Sequence, residues 1–289
     1  MINSLENMIS LNQKQNNVFY FVIFGMTPLH NNISIIIHTC DEYSHFWDGW
    51  YTMFDHFEFL DLGWPIYFCN EEIELPFNDQ RILQIKTGKS KKYMGIEERD
   101  WLPTYGGPKQ VDEGWSDRLI ASLNSVDTKY VLYMQEDQWP FKQIDANLFN
   151  KLLNFVRFND VNGLRLHRLT TPYVLDEYVE TDYYVQNKKV LKVKRDGGFL
   201  LCHQPTIWNR EFLLDVSIRG EGFRDNEYAG SERVREKYKD PKIFLYNHHW
   251  FLEKSASAAG LWIPEIEWEY REVARERDVY KHFNMIKSI

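Results

Sequence analysis

The segment DTKYVLYMQEDQWPF, residues 127–141, decides the fold class of this chain of 289 residues. Its apolar run, residues 130–134, is rich in Tyr, Val and Leu and too short for a helix, which is typical of a strand buried on both faces. The adjacent carboxylates of Glu136 and Asp137 follow this run. Carboxylates at the carboxyl end of such a strand lie where open α/β sheets bind ligands, and a divalent cation or a cationic partner would relieve their mutual repulsion. The alternative is a strand that ends by chance in an acidic turn.

Predicted strands and helices alternate along the first half of the chain. We expect strands at residues 33–39, 65–69 and 81–85, and helices at 45–57 and 115–126. In the second half we expect helices at residues 145–158, 210–216 and 230–238, strands at 163–167, 199–203 and 243–246, and a hairpin of strands 183–185 and 190–194. The alternation predicts an α/β, Rossmann-type fold with a mostly parallel central sheet flanked by helices, followed by a smaller region of hairpin and helices.

The domain organisation follows from the lack of repeats and of low-complexity linkers in the sequence. Residues 33–263 are interpreted as one domain with two functional halves, 33–140 and 141–263. Residues 1–32 form a polar tail and lead-in. A charged amphipathic helix is predicted at residues 264–289.

Charge, cysteine content and hydropathy exclude several classes of protein. The net charge of −8 argues against non-specific binding of nucleic acid, which needs a basic surface. Cys40, Cys69 and Cys202 are widely spaced and odd in number, which is typical of reduced core cysteines in a cytosolic protein. The apolar stretch at residues 18–26 lacks the length of a membrane span and the basic start of a signal peptide. We therefore expect a cytoplasmic protein without a membrane span, for which peripheral contact with a membrane stays open.

Two further polar clusters lie beside predicted helices. Asp117 and Arg118 lie at a helix start, where a phosphate would be attracted, although a solvated Asp–Arg face explains the same pattern. Glu227 precedes the helix predicted from residue 230, and irregular backbone there could present its carboxylate to a cleft. An acidic surface loop is the alternative for Glu227.

The third cluster is the pair His248 and His249, which follows the strand predicted at residues 243–246. Adjacent side chains in extended backbone point to opposite sides, so at most one of the two can join a given site. An imidazole could supply the nitrogen ligand that completes a metal site held by carboxylates. A purely structural role is the alternative.

The order of these motifs resembles bacterial-type nucleotide-sugar glycosyltransferases of the GT-A fold. The resemblance covers roughly residues 33–263 and rests on five motifs: HTCDEYS at residues 38–44, WSDRL at 115–119, YVLYMQED at 130–137, QPTIWN at 204–209, and a Glu-x-x-Gly-Ser-x-Arg pattern formed by Glu227, Gly230, Ser231 and Arg233. It implies a GT-A-like sheet whose first half, residues 33–140, binds the nucleotide and whose second half, residues 141–263, binds the acceptor. One position departs from the pattern, because Gln138 stands where many relatives have another acidic residue.

The resemblance also implies roles for individual residues. The nucleotide and the donor would be bound by Thr39, Asp41, Arg118, Glu136 and Asp137. The acidic pair would stand for the motif that holds Mn²⁺ or Mg²⁺ against the diphosphate, with His248 or His249 as a late contact to the metal or a phosphate. Glu227 would be the general base, and Trp208 would line the acceptor site.

The activity implied by this resemblance is transfer of a sugar, with inversion, from a nucleotide-diphosphate donor to a hydroxyl of a glycan acceptor in surface-polysaccharide synthesis. The reaction needs the charge of the leaving diphosphate neutralised and a base on the opposite face of the sugar. One alternative is a nucleotidyltransferase that makes nucleotide sugars, although the glycine-rich loop of that class is missing after the first strand. A second alternative is a non-catalytic relative that binds glycans or acts as a scaffold.

Overall fold

The computed structural model describes residues 32–88, 114–140, 142–167, 177–248, 250, 257–258 and 261–262. The chain divides into two compact units, Met1–Asn31 and Asn32–Ile289, and every described residue belongs to the second. The predicted polar tail falls, apart from residue 32, outside the described residues, as does the predicted helix at residues 264–289. The domain limits proposed from the sequence therefore stay predictions.

The first half of the sheet is parallel, as predicted. Its strands are β1 (Ile33–His38), β2 (Ile66–Asn70), β3 (Ile82–Lys86) and β4 (Tyr130–Gln135). They lie in the order β3-β2-β1-β4, and every ladder among them is parallel. All six residues of β1 are buried because helices cover both faces of its β-branched run. The carboxyl ends of β1 and β4 consequently lie side by side at one edge.

The second half of the sheet is mixed, which corrects the expectation of a mostly parallel arrangement. Its strands are β5 (Gly163–Arg165), β6 (Tyr178–Val185), β7 (Lys188–Val193), β8 (Thr206–Asn209) and β9 (Ile243–Leu245). The full order is β3-β2-β1-β4-β8-β5-β9-β7-β6. β8 runs antiparallel between β4 and β5, β9 is parallel to β5, and the β6–β7 hairpin closes the far edge. Two short strands, β10 (Ser257–Ala258) and β11 (Leu261–Trp262), pair separately.

The strand predicted at residues 199–203 is irregular, and the strand of this region is β8 instead. The N–H groups of Leu200 and Leu201 donate to Ser231 Oγ, each at 3.0 Å, rather than to a neighbouring strand. The apolar residues of this segment pack against a helix, so their hydrophobicity does not indicate a strand. The apolar part of the QPTIWN motif at residues 204–209 joins the sheet instead, as β8.

The described residues contain five α-helices that flank the sheet: α1 (Trp47–His56), α2 (Trp115–Asn124), α3 (Ala146–Phe158), α4 (Arg210–Val216) and α5 (Phe223–Lys237). Short 3-10 helices at Asp41–Phe46 and Phe59–Leu62 precede and follow α1. Asp145 caps α3 by accepting from the Leu148 N–H, and Asn209 caps α4 by accepting from the Phe212 N–H. Within the described residues, none of the helices has the length and apolar composition to cross a bilayer.

Helix α5 begins at Phe223, which corrects the predicted start at residue 230. Glu227 therefore lies inside the helix and not in irregular backbone before it. The sequence misleads here because Gly230 resembles a helix boundary. A Cβ at this position would lie 2.3 Å from Leu201 Cδ2, so the glycine lets the irregular 199–203 segment approach the middle of the helix.

Candidate active site

The candidate site begins where β1 and β4 end. His38 closes β1, and it pairs in the parallel register with Gln135 of β4, the residue before Glu136. Glu136 is buried, whereas the next residue, Asp137, is partly exposed. The parallel register therefore places a histidine and two carboxylates at the same edge of the sheet.

Glu136 is held in a low-solvation environment. Burial raises the pKa of its carboxyl well above the usual range, and the neighbouring charge of Asp137 adds to this effect. A hydrogen bond with the Thr39 hydroxyl and the charge of Arg118 act in the opposite direction. The Thr39 Oγ1 also accepts from Trp47 Nε1 at 3.1 Å, which fixes the hydroxyl beside the carboxyl.

Arg118 points into this cluster from helix α2. Its side chain is buried, and Nη1 donates to Glu71 Oε1 at 3.2 Å. Glu71 Oε2 in turn accepts from the Asp41 N–H at 3.1 Å. The guanidinium is therefore an internal cation that compensates carboxylates, rather than an exposed contact for a phosphate.

The first turn of α2 is engaged by the segment that precedes α5. Asp117 Oδ2 accepts from the Gly220 N–H at 2.9 Å, and Asp117 Oδ1 pairs with Arg219 at 3.1 Å. The Ser116 N–H donates to the Glu221 carbonyl at 3.0 Å. The alternative of a solvated Asp–Arg face is thus wrong, since the side chains of Asp117 and Arg118 are only 15% and 5% exposed, and the phosphate site stays a prediction.

A cluster of imidazole and aromatic rings in edge-to-face and tilted contact joins the strand ends to α5. His38 Nδ1 and the Tyr133 hydroxyl lie 3.1 Å apart. The ring centroid of Trp115 is 4.8 Å from that of His38 and 4.2 Å from that of His203. Burial lowers the pKa of both histidines, that of His203 to about 3, so both imidazoles are neutral near pH 7.

Glu227 reaches the same cluster from helix α5. Its Oε1 accepts from the backbone N–H of His203 at 3.0 Å, and its Oε2 accepts from Arg224 Nη1 at 3.2 Å. Burial raises the pKa of Glu227, and the two donors only partly oppose this. The Arg224 side chain is 69% exposed, so it covers Glu227 from the solvent side.

A buried hydrogen-bond network fixes the part of α5 that carries Glu227. Asn226 Oδ1 lies 3.0 Å from His203 Nε2, and Asn226 Nδ2 donates to Glu221 Oε2 at 2.8 Å. Glu221 also binds Arg233 through two hydrogen bonds of 2.7 Å. Because each of these groups is constrained by the next, the network determines the helix register that brings Glu227 to the sheet edge.

Tyr133 lies between the two groups of carboxylates. Its pKa is raised first by burial and then by the charges of Glu136, Glu227 and Asp137, while Arg118 lowers it. Carboxylates from the end of β4 and from α5 are therefore close enough to act on one hydroxyl. The structure thus brings together Thr39, Arg118, Glu136, Asp137 and Glu227, which are distant in the sequence.

Asp41 is hydrogen-bonded to the turn that follows β2. Its two carboxylate oxygens accept from Asn70 Nδ2 at 2.9 Å and from the backbone N–H groups of Glu71, Glu72 and Ile73 at 2.9 to 3.2 Å. Burial raises its pKa, yet these four hydrogen bonds lower it below its usual value. A carboxylate has about four lone-pair sites, so the turn after β2 occupies most of the acceptor capacity of Asp41, and its contact with a nucleotide stays a prediction.

Trp208 is part of the core, which corrects its predicted place in an acceptor site. It lies on β8, its side chain is fully buried, and its ring stacks on Phe212 with centroids 5.9 Å apart. A Cβ at Gly163 would lie 2.3 Å from the Trp208 ring, so the indole fills the space above a strand. A fully buried indole has no face available to a sugar.

Of the predicted metal ligands, Asp137 and His248 lie within the described residues. Among the described residues, no group of three or more His, Cys, Asp or Glu side chains could hold a metal ion. His248 stacks on Trp250 with centroids 4.0 Å apart, and His249 lies outside the described residues. Gln138 donates from Nε2 to the His203 carbonyl at 2.7 Å and accepts from the Gln135 N–H at 3.0 Å. Within the described part of the chain no preformed three-ligand site is thus found, and binding of Mn²⁺ or Mg²⁺ stays a prediction.

Sequence reasoning missed several members of the cluster, chiefly His38, Tyr133, His203 and Asn226. A signal for His38 exists, because it is a polar residue that directly continues the buried β-branched run of β1. His203 and Asn226 carried no such signal, since their role depends on the register of a helix whose start was predicted incorrectly.

Comparisons with known proteins give distant structural likenesses only. No protein-family model and no curated protein matches the sequence. The fold is similar to UDP-glucose pyrophosphorylase complexed with UDP-glucose, at 8% identity and a TM-score of 0.47 over 86% of this chain and 98% of that one. It is similar to S. aureus TarS 1-349 at 11% identity and a TM-score of 0.42, over 84% and 63% of the two chains. It is similar to bifunctional IspDF from Campylobacter jejuni at 11% identity and a TM-score of 0.41, over 75% of this chain and 50% of that one.

The chain thus spans less than two thirds of the matched TarS and IspDF chains. With TM-scores below 0.5, these likenesses assign no activity.

Proposed function

We propose that this protein is a glycosyltransferase that moves a sugar, with inversion, from a nucleotide-diphosphate donor to a hydroxyl of a glycan acceptor. The observation that supports this most is the convergence of two separate acidic groups around Tyr133. Glu136 and Asp137 follow β4, and Glu227 comes from α5, so the two groups approach the sheet edge from different elements. A displacement with inversion needs such a division, with the donor on one side and a base on the other.

Glu227 is proposed as the general base. Its burial raises its pKa, which brings a carboxylate closer to the range in which it accepts a proton efficiently near neutral pH. The His203 N–H holds Oε1 in place, while Oε2 is covered by the exposed side chain of Arg224. Movement of Arg224 would open Oε2 to an acceptor hydroxyl without disturbing the rest of the carboxyl.

The donor side is proposed to involve Asp137 directly and Glu136, Thr39 and Arg118 indirectly. Asp137 is the partly exposed member of this group. Arg118 would act by compensating the charge of Glu136 and by holding Glu71. A divalent cation stays a prediction from the resemblance, and no step of the proposed transfer is assigned to it.

The test compares Glu227→Gln with the wild-type chain in two assays. Calorimetry with a panel of nucleoside diphosphates and their sugars measures binding, and release of nucleoside diphosphate in the presence of an oligosaccharide acceptor measures transfer. We expect unchanged donor binding and a loss of transfer of about 10²–10⁴-fold, which is typical for removal of a general base. Repeating the calorimetry with Mn²⁺ and with EDTA tests the cation separately.

A matched control is available on the same helix. Glu232→Gln removes a carboxylate that is 64% exposed and pairs with Arg235, and it is expected to leave transfer unchanged. Equal transfer by Glu227→Gln and the wild type would remove Glu227 from the mechanism. Binding of a nucleotide sugar without turnover would favour the non-catalytic alternative.

A separate assay with a nucleoside triphosphate and a sugar phosphate tests the nucleotidyltransferase alternative, because that reaction releases pyrophosphate. The structure gives no specific support to it. A 3-10 helix at Asp41–Phe46, without glycine, follows β1 where a glycine-rich phosphate loop would be needed.

A further inference from the structure

A second candidate binding site lies at the far edge of the sheet from the acidic cluster. A cavity of about 370 Å³ is bounded by the C-terminal end of α3, by β6 and β7, and by the residues at the start of β9. β9 runs in the same direction as β4, so this cavity is at the amino end of the strands, whereas Glu136 follows their carboxyl end. The volume falls in the range of about 300–1,000 Å³ found for small-molecule sites.

The cavity presents a rigid aromatic surface. Tyr183 makes edge-to-face contacts with Phe155 and Phe244, with ring centroids 5.4 and 5.9 Å away, and it is still 44% exposed. Phe158, at the mouth of the cavity, is 81% exposed. Two exposed aromatic rings, one of them held by its neighbours, form a surface that can receive the flat apolar face of a ligand at little cost in conformational entropy.

Polar groups of both charges surround these rings. Lys192 pairs with Asp240 at 2.5 Å, and Lys242 donates to the Asn159 carbonyl at 3.0 Å. With Asp160, the cavity is lined by two basic and two acidic side chains. This balance favours a neutral ligand that offers both donors and acceptors of hydrogen bonds.

A second depression of about 230 Å³ adjoins the first and shares the Lys192–Asp240 pair with it. It continues along β7 past Val193 towards Arg195. The two depressions on either side of one ion pair are suited to a ligand with several repeating units.

We propose that this surface binds a neutral oligosaccharide. A pyranose has an apolar C–H face for the Tyr183 and Phe158 rings and a rim of hydroxyls for the surrounding Lys and Asp side chains. The two adjoining depressions would hold successive sugar units. This site does not depend on the proposed transfer reaction, because it shares no residue with the acidic cluster.

The test uses the full chain and three probes: maltohexaose, chitohexaose and linear mannohexaose. Saturation-transfer NMR detects binding and calorimetry measures affinity. We expect at least one hexasaccharide to bind, and Tyr183→Ala to weaken it by about tenfold or more, because stacking on an aromatic ring contributes on that order. Nucleotide-sugar binding, measured in parallel, should not change in this variant, so this result stands apart from the outcome for Glu227.

The matched control is Tyr184→Ala. Tyr184 is 58% exposed and adjacent in sequence, but it does not line either depression, and the variant should bind as the wild type does. Phe158→Ser serves as a second variant, since so exposed a side chain can be replaced without loss of folding. The proposal is overturned if no hexasaccharide binds, or if both Tyr183→Ala and Phe158→Ser bind as tightly as the wild type. It is also overturned if sedimentation shows a dimer that Tyr183→Ala dissociates, since this face would then be an interface between copies.

Discussion

Two acidic regions lie near one another at the sheet edge, yet their carboxylates are in opposite environments. Asp41 accepts four hydrogen bonds from Asn70 and the turn after β2, and its pKa is lowered. Glu136 and Glu227 are buried with fewer donors, and their pKa values are raised. All three appear as acidic residues beside predicted elements in the sequence. The difference has two causes: burial is the main reason for the raised pKa values of Glu136 and Glu227, whereas at Asp41 the N–H groups directed at the carboxylate outweigh the effect of burial.

The largest effect on stability is expected for Asp41→Ala, which removes the carboxylate whose pKa is lowered by hydrogen bonds. The variant leaves three backbone N–H groups and the Asn70 amide without their acceptor, and we expect a loss of about 3 kcal/mol in the free energy of unfolding. Urea denaturation measures it. The exposed neighbour Glu42→Ala is the control and should stay within about 0.5 kcal/mol of the wild type.

A different result for Asp41→Ala would restore the role implied by the resemblance. Wild-type stability together with a large loss of nucleotide affinity would show that Asp41 binds the ligand and that its turn is held by other contacts.

A smaller effect on stability is expected when a third carboxylate is added beside Glu136 and Asp137. Gln138→Glu removes the amide donor to the His203 carbonyl and places a charge beside Glu136. We expect a loss of about 2 kcal/mol near pH 7, because a buried acceptor would face another acceptor. Urea denaturation of Gln138→Glu beside Gln138→Ala separates the added charge from the lost side chain. Equal stability of Gln138→Glu and the wild type would mean that the site accepts another acidic residue, as in the pattern it resembles.

The smallest effect concerns the dependence of stability on pH. The folded-state pKa of Glu227 lies above its ordinary value of 4.5, so the folded protein binds this proton more tightly than the unfolded chain. Stability from this group is therefore present below the unfolded pKa and is lost as the pH rises through the folded pKa. Glu227→Gln should lose stability less steeply between pH 5 and pH 8 than the wild type does.

Urea denaturation at pH 5 and at pH 8 measures the free energy of unfolding of both proteins. Glu232→Gln is the control on the same helix. Parallel slopes for Glu227→Gln and the wild type would show that Glu227 is solvated in the folded protein. That outcome would also weaken its proposed role as a base.

The parallel half of the sheet could be predicted from the sequence because its strands are apolar runs separated by amphipathic helices. The mixed half could not, since β5, β8 and β9 are only three or four residues long and acquire their direction from pairing with distant partners. At the site, the carboxylates after β4 were identifiable because a buried strand led into them. The hydrogen-bonded position of Asp41 and the buried position of Trp208 were not, because they depend on the backbone donors and the neighbouring glycine that only the folded chain supplies.

Synthesis on the ribosome produces the four parallel strands before β8 exists. Until Thr206–Asn209 has emerged, β4 is an outer strand with unpaired N–H and C=O groups along an apolar run, since β8 is the partner that covers it. Such an edge is a template for pairing with other chains. One edge of β4 therefore lacks its native partner for the whole interval in which residues 136–205 are made.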